Sequence, residues 1–183
     1  MWESKGVDVV DLLLHPVRIR VVHAFAGGRE LTTAELGDQL PDVAKTTLYR
    51  HVGMLAGAGI LEVVGEERVH GAVERTYRLD RSRTRISPED AAAMSLDDHR
   101  HGFAAAMGAL LADFSAYLDR PDADPTADSV GYVQVPIWLS KEEIARMVER
   151  LREVVVESAA NEPADGRRLY LVSPILFPID KGS

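Results

Sequence analysis

The chain has 183 residues, 46% hydrophobic and 27% charged, with no cysteine and a net charge of −8. That length allows one or two domains with a buried core. The missing thiols exclude disulfides, thiolate metal sites and cysteine redox switching. No apolar run is long enough to span a bilayer, and Glu3, Lys5 and Asp8 interrupt any secretory pattern, so a cytoplasmic protein without a membrane partner is expected. The acidity is uneven. Residues 1–86 hold 12 Lys/Arg against 12 Asp/Glu, whereas residues 87–183 hold 9 against 17. The second half is a poor phosphate surface, and any nucleic-acid contact must come from local basic patches in the first.

In chain order, Val7–Leu14 is apolar and predicts a helix. His15-Pro16 restarts the chain, with Pro16 at a first-turn position where its missing N–H costs nothing. Val17, Val21 and Phe25 follow at four-residue spacing until Gly27-Gly28 ends the helix. Thr32 and Glu35 form a capping box for a short helix, about Thr33 to Leu40, which stops at Pro41. The next helix starts near Ala44 or Lys45 and runs towards Gly57–Gly59. Its Leu48, Val52 and Leu55 share one stripe, and Thr46, Arg50 and Gly53 lie nearly opposite. No acidic residue stands between Val43 and Ile60. Leu61–Gly65 and Glu74–Leu79 read as strands joined by a loop, Glu66–Val73, in which Gly71 permits a tight turn.

Ser87-Pro88-Glu89-Asp90 starts another helix, with Ser87 as cap and acids over the positive dipole end. It is expected to run towards Leu118, with a possible interruption at Gly102. Phe103, Met107, Leu110 and Phe114 give it an apolar stripe, and its alanines suggest close approach by a partner helix. Asp119–Gly131 is proline- and acid-rich and reads as a loop. Tyr132–Leu139 and Leu169–Val172 are expected as strands flanking a helix that Ser140 and Glu143 cap and that Ile144, Met147, Val148, Leu151, Val154 and Val155 make amphipathic. The fold class is therefore α+β, mainly helical: a helix-turn-helix domain with a two-stranded wing over residues 1–86, then a dimerisation helix and a small β-α-β unit over residues 87–183.

The segments LLLHPVRIRVVHAF, KTTLYRHVGMLAGAGILEVV and RVHGAVERTYRL together resemble the winged helix-turn-helix of ArsR-type bacterial transcription regulators, over about Val7 to Leu79. The resemblance implies a homodimer that binds a palindromic double-stranded DNA operator, acts as a repressor and uses no enzymatic chemistry. Ala44 departs from the family, which often has Ser or Thr as the N-cap there; Asp42 is the alternative cap. The absence of cysteine excludes the thiolate metal sensing of many relatives. Asp97-x-His99 matches the first half of the family's other metal pair, but Leu110 to Asp113 lacks the completing histidine.

The expected DNA-binding residues are Lys45, Thr46, Thr47, Tyr49 and Arg50 on the helix and Arg68, His70 and Arg75 in the wing. Arg50 suits guanine O6 and N7, the threonines suit phosphate or a thymine methyl, and Lys45 positions the backbone. The bland alternative is a solvated helix face, and a helix without acids argues against it. His51 falls nearer the core side and reads as a packing residue. Phe103, Met107, Phe114, Tyr117, Tyr132 and Trp138 either line a pocket for an apolar or cationic organic effector or form ordinary core. No cofactor is expected. No G-x-S-x-G, P-loop or metal-hydrolase pair is present. The alternatives are a metal-responsive sensor and a winged module that contacts protein without DNA.

Overall fold

A computed structural model describes residues 12–69, 71–84 and 87–179. Helix α1 (Pro16–Ala24) opens at His15, whose ring Nδ1 accepts the Val17 N–H at 3.2 Å. After Gly27 and Gly28, both at positive φ, three residues form strand β1 (Glu30–Thr32). Thr32 then caps α2 (Thr33–Gln39): the Glu35 N–H donates to Thr32 Oγ1 at 3.2 Å, and the Thr32 N–H donates to the Glu35 carboxylate at 2.8 Å. Helix α3 (Lys45–Gly57) follows, and Gly59 takes φ 72°, a left-handed turn that releases the chain into the wing. Strands β2 (Leu61–Val69) and β3 (Ala72–Leu79) complete an antiparallel sheet in the order β1-β3-β2.

Two expectations about this region change. The hairpin pairs as far as Val69 and Ala72, so most of Glu66–Val73 is strand and only residues 70 and 71 lie between the paired positions, with an irregularity between Val63 and Gly65. The third strand, β1, pairs Leu31 with Tyr77, although three residues carry no period that a sequence pattern can reveal. Both changes stiffen the wing by supplying partners for its backbone.

The core lies where α1, α2, α3 and the base of the sheet meet. Val21, Phe25, Leu36, Leu55 and Ile60 are fully buried, and Leu48, Val52 and Leu61 nearly so. The expected stripes on α1 and α3 point into it. Leu12 joins this core, while residues 7–11 of the expected Val7–Leu14 helix lie outside the described residues.

Beyond the wing, Ser87 caps α4 (Pro88–Ala93), and a second capping box at Ser95 and Asp98 starts α5 (Leu96–Leu118). The interruption therefore falls at Met94–Ser95, where the Ser95 hydroxyl satisfies a new set of first-turn N–H groups, and Gly102 stays helical. Gly102 serves packing instead. A Cβ on it would sit 2.9 Å from Leu14 Cδ2, and one on Gly108 would sit 3.4 Å from Pro16 Cγ. Ala105 and Ala109 are buried on the same face. The small residues thus let α5 lie close against the start of α1 in its own chain, where the sequence suggested a partner helix.

Arg20 fixes this contact. Its guanidinium, 3% exposed, donates from Nε to Asp113 of α5 at 2.6 Å and pairs bidentately with Asp42 in the turn before α3, with one of those bonds at 2.8 Å. His23 Nδ1 lies 3.1 Å from the other Asp113 oxygen. Asp42 is accordingly engaged by Arg20, and α3 begins at Ala44 with no side-chain cap, which corrects the expectation that Asp42 caps it.

The chain divides into two compact units between Ile137 and Trp138. In the first, Asp119–Gly131 is the expected loop, turned by Asp124, whose carboxylate accepts the Thr126 and Ala127 N–H groups; it nevertheless buries Asp128, which accepts from the Tyr117 hydroxyl at 2.9 Å. In the second, Ser140 and Glu143 cap α6 (Lys141–Ala159) as expected. The flanking Tyr132–Leu139 and Leu169–Val172 are not strands. Strands exist only as pairs, and neither segment makes a backbone–backbone hydrogen bond among the described residues.

Asp113→Ala should lower stability by about 1–3 kcal/mol in urea unfolding, because it leaves part of a buried guanidinium unpaired. Removing Asp42 as well should raise the loss to about 3–5 kcal/mol. Unchanged unfolding midpoints would show that α5 docks without this charge network.

Candidate nucleic-acid interface

Helix α3 separates its side chains cleanly. Leu48, His51, Val52 and Leu55 are buried, whereas Lys45, Thr46, Tyr49, Arg50 and Gly53 are exposed and Thr47 is half-buried. Tyr49 is 59% exposed, more than packing alone would leave for a large aromatic. The first turn contains no acid and its N-cap has no side-chain acceptor, so its backbone N–H groups and the positive end of the helix dipole face outward beside Lys45. That combination attracts an anion. Arg50 follows one turn later on the same outward surface. Five of the predicted residues are thus gathered on one short stretch of helix.

The wing contributes less charge than its arginines suggest. Arg75 donates to Glu66 at 2.8 Å across the hairpin, both groups half-exposed. Arg78 faces Glu62 at 3.3 Å and Glu30 at 3.6 Å. Residues 61–79 hold four acids and three arginines. Arg68 is exposed opposite Val73 near the tip, and His70 lies outside the described residues. Arg83, one of the basic residues after the wing, turns back to donate to the Ala58 carbonyl at 3.3 Å and covers the C-terminal end of α3, where a cation complements the dipole. Sequence reading counts these arginines; only the hairpin register and the turn at Gly59 show which are already engaged.

Behind the outward face, His51 stacks on His15, with ring centroids 4.4 Å apart and tilted by 42°. His51 is 2% exposed, and its Nδ1 has no hydrogen-bond partner among the described residues. Burial pushes its pKa down to about 4, helped by His15, Arg50 and Arg18. Burial likewise lowers that of His15, with Arg18 and Arg50 adding to it. At neutral pH this pair is an uncharged wedge between the cap of α1 and the middle of α3. Sequence reading placed His51 on the core side but missed His15 as its partner, for which the His-Pro helix start was the available signal.

The residues considered for an effector pocket do not form one group. Phe114 stacks with Tyr117 at 6.0 Å and meets Tyr132 edge-on at 6.3 Å. The Arg120 guanidinium sits 5.8 Å from the Tyr117 ring centre. Phe103 and Met107 lie up to eleven residues earlier on α5, a displacement of roughly 16 Å for Phe103 at the helical rise. Trp138 belongs to the second unit and is 90% exposed, so its indole needs no buried partner. Asp97, considered for metal, faces Arg100 at 3.5 Å and His101 at 3.7 Å on an exposed turn.

Residues 13–64 match the family model of a helix-turn-helix domain, a stretch that runs from before α1 into β2 and contains α2, the turn and α3 entire. Comparison with curated proteins gives no match. The matched domain is a DNA-binding regulatory type and not a catalytic one, which supports a DNA-binding transcription regulator. Among the described residues no helix is long and apolar enough to cross a membrane.

The histidine wedge makes stability depend on pH. With a folded pKa near 4 against 6.5 unfolded, His51 is neutral in both states above pH 6.5 and costs nothing there. As pH falls from 6.5 towards 4 the unfolded chain binds a proton that the folded chain refuses, so stability drops across that window. Thermal or urea unfolding should show this slope, and His51→Phe should reduce it. An unchanged slope in the variant would place the acid sensitivity elsewhere.

Proposed function

We propose that the protein is a sequence-specific transcriptional repressor that binds a palindromic operator as a homodimer. The observation that carries this reading is the acid-free outward face of α3, where Lys45, Thr46, Tyr49 and Arg50 surround an uncapped helix N-terminus. Arg50 donates to a guanine edge in the major groove, Lys45 and the first-turn N–H groups hold phosphate, and Thr46 and Thr47 contact phosphate or a thymine methyl. Arg68, with His70 and Arg75, makes a secondary phosphate contact from the wing.

The dimer is supported by the second face of α5. Opposite the small residues that pack on α1, it presents Leu96, Phe103, Met107, Leu111 and Leu118, of which Leu96 is 75% and Leu111 68% exposed. A partner helix would cover these side chains and set two recognition helices about one helical turn of DNA apart, roughly 34–36 Å. Repression follows from such a dimer occupying promoter DNA. An organic, apolar or cationic effector completes the proposal; Phe114, Tyr117 and Tyr132 are its contact residues, next to the dimer helix whose position it would alter.

Arg50→Ala should cost about 1–3 kcal/mol of operator binding and relax preference at one position per half-site, while Lys45→Ala weakens all sequences alike. Selection of DNA fragments by the purified protein, followed by titration at several salt concentrations, measures both. Absence of any DNA affinity would favour a winged module that contacts protein instead.

Leu110→Glu places a carboxylate on the proposed dimer face. Light scattering should show half the mass with the helical circular dichroism retained. A folded variant that keeps its mass would move the interface elsewhere.

A further inference from the structure

Arg50 is anchored differently from the arginines around the wing. Arg75 and Arg78 face carboxylates, and Arg83 donates to a carbonyl. Among the described residues the Arg50 guanidinium makes a single hydrogen-bonding contact, from Nη2 to His51 Nε2 at 3.5 Å. That distance is at the long end for a hydrogen bond. A neutral nitrogen orients the guanidinium and leaves its charge intact, which a carboxylate would not.

The contact assigns a tautomer. A guanidinium only donates, so Nε2 of His51 carries the lone pair and Nδ1 the proton. That Nδ1 is the atom buried without a hydrogen-bond partner among the described residues. An unpaired buried donor is a cost to folding that an apolar side chain at this core position would avoid. His15 holds the ring from the other side. Its Nδ1 accepts the Val17 N–H at 3.2 Å, which puts its own proton on Nε2 and ties its ring to the first turn of α1. The two rings stack with centroids 4.4 Å apart. A chain of contacts thus runs from the backbone of α1 through His15 and His51 to Arg50.

The surroundings keep both rings neutral. Burial opposes their ionisation, and the charges that act on them are cationic: Arg18 and Arg50 on both rings, and His15 on His51. The nearest acids on the elements around α3 are engaged elsewhere, Asp42 with Arg20, Glu35 in its own helix cap and Glu62 with Arg78. Asp38 of α2 and Glu67 of β2 are exposed. Only a neutral His51 offers Nε2 as an acceptor.

We propose that His51 is a positioning residue for sequence recognition: its ring, wedged against His15, holds the Arg50 guanidinium in the orientation in which it meets DNA. This rests on the reading of Arg50 as a base contact. An arginine held before binding has less side-chain freedom to lose in the complex.

Two measurements on the full chain test it. Nitrogen-15 NMR of the imidazoles at neutral pH should show opposite tautomers, Nδ1–H in His51 and Nε2–H in His15; His51 as the Nε2–H form overturns the proposal. His51→Leu should unfold at the same urea concentration as the native chain or a higher one. It should nevertheless bind the duplex selected by the native chain about 3- to 10-fold more weakly, the range of one modest hydrogen bond, with binding to a scrambled duplex unchanged. His51→Gln, whose amide oxygen falls near the place of Nε2, should recover most of the loss. In an Arg50→Ala background His51→Leu should cost nothing further, whereas with Lys45→Ala the two losses should add. Full affinity in a folded His51→Leu chain, equal losses on both duplexes, or losses that add with Arg50→Ala each overturn the positioning role while Arg50 keeps its place in DNA binding. Unchanged affinity in Arg50→Ala removes the base contact itself, and the positioning role with it. If His51→Leu does not fold, the tautomers decide.

Discussion

The buried guanidinium of Arg20 is the constraint on which the arrangement of the first unit depends. A cation removed from water needs carboxylates around it, and here they come from two places that are distant in sequence: the turn that launches α3 and the last quarter of α5. Burial of Arg20 therefore settles where both must sit. The network holds Asp42 below the ordinary carboxylate range, because the Arg20 side chain bonds to it, with burial opposing. The carboxylate consequently stays charged under mild acid, and the turn before α3 remains tied to α1.

That tie explains an oddity of α3. Most helices use a side chain to satisfy their first N–H groups, and here the residue best placed to help is held by Arg20. The cost to helix stability is about 1 kcal/mol for a missing cap. What results is an unobstructed positive helix end on the surface, flanked by Lys45. The structural demand of α1 and α5 for Asp42 and the proposed demand of DNA for a bare helix terminus are met by the same residue placement.

Sequence reading located α1, α2, α3 and α6 and the stripes on α1 and α3 because each is written in local chemistry: a capping box, a proline start, a glycine stop, apolar residues every third or fourth position. It missed what depends on distant partners. Strand β1 has three residues and exists through Tyr77 and its neighbours; the extension of the wing exists through the register of the hairpin. The pairing of Arg75, Arg78 and Arg83 with nearby acids and a carbonyl decides which cations remain for a ligand, and no count of basic residues reveals it. In the C-terminal unit the error ran the other way. The β-propensity of Leu169–Val172 describes a segment suited to a sheet, but it does not supply the neighbour.

Helix α5 shows why one amphipathic pattern was insufficient. From Gly102 onward its glycines and buried alanines line one side and its leucines, phenylalanines and methionine the other, so that stretch is apolar on two faces. A helix of that composition is suited to burial on both sides. The small side chains permit the close approach to α1 that Arg20 and Asp113 fix, and large ones there would force the helices apart by several ångströms. The large side chains are left for a separate surface. Division by size lets one helix touch the DNA-binding domain of its own chain and still present a second face. Asp113, Arg20 and Asp42 thereby link α5 through α1 to the turn that launches α3, a path of three side chains.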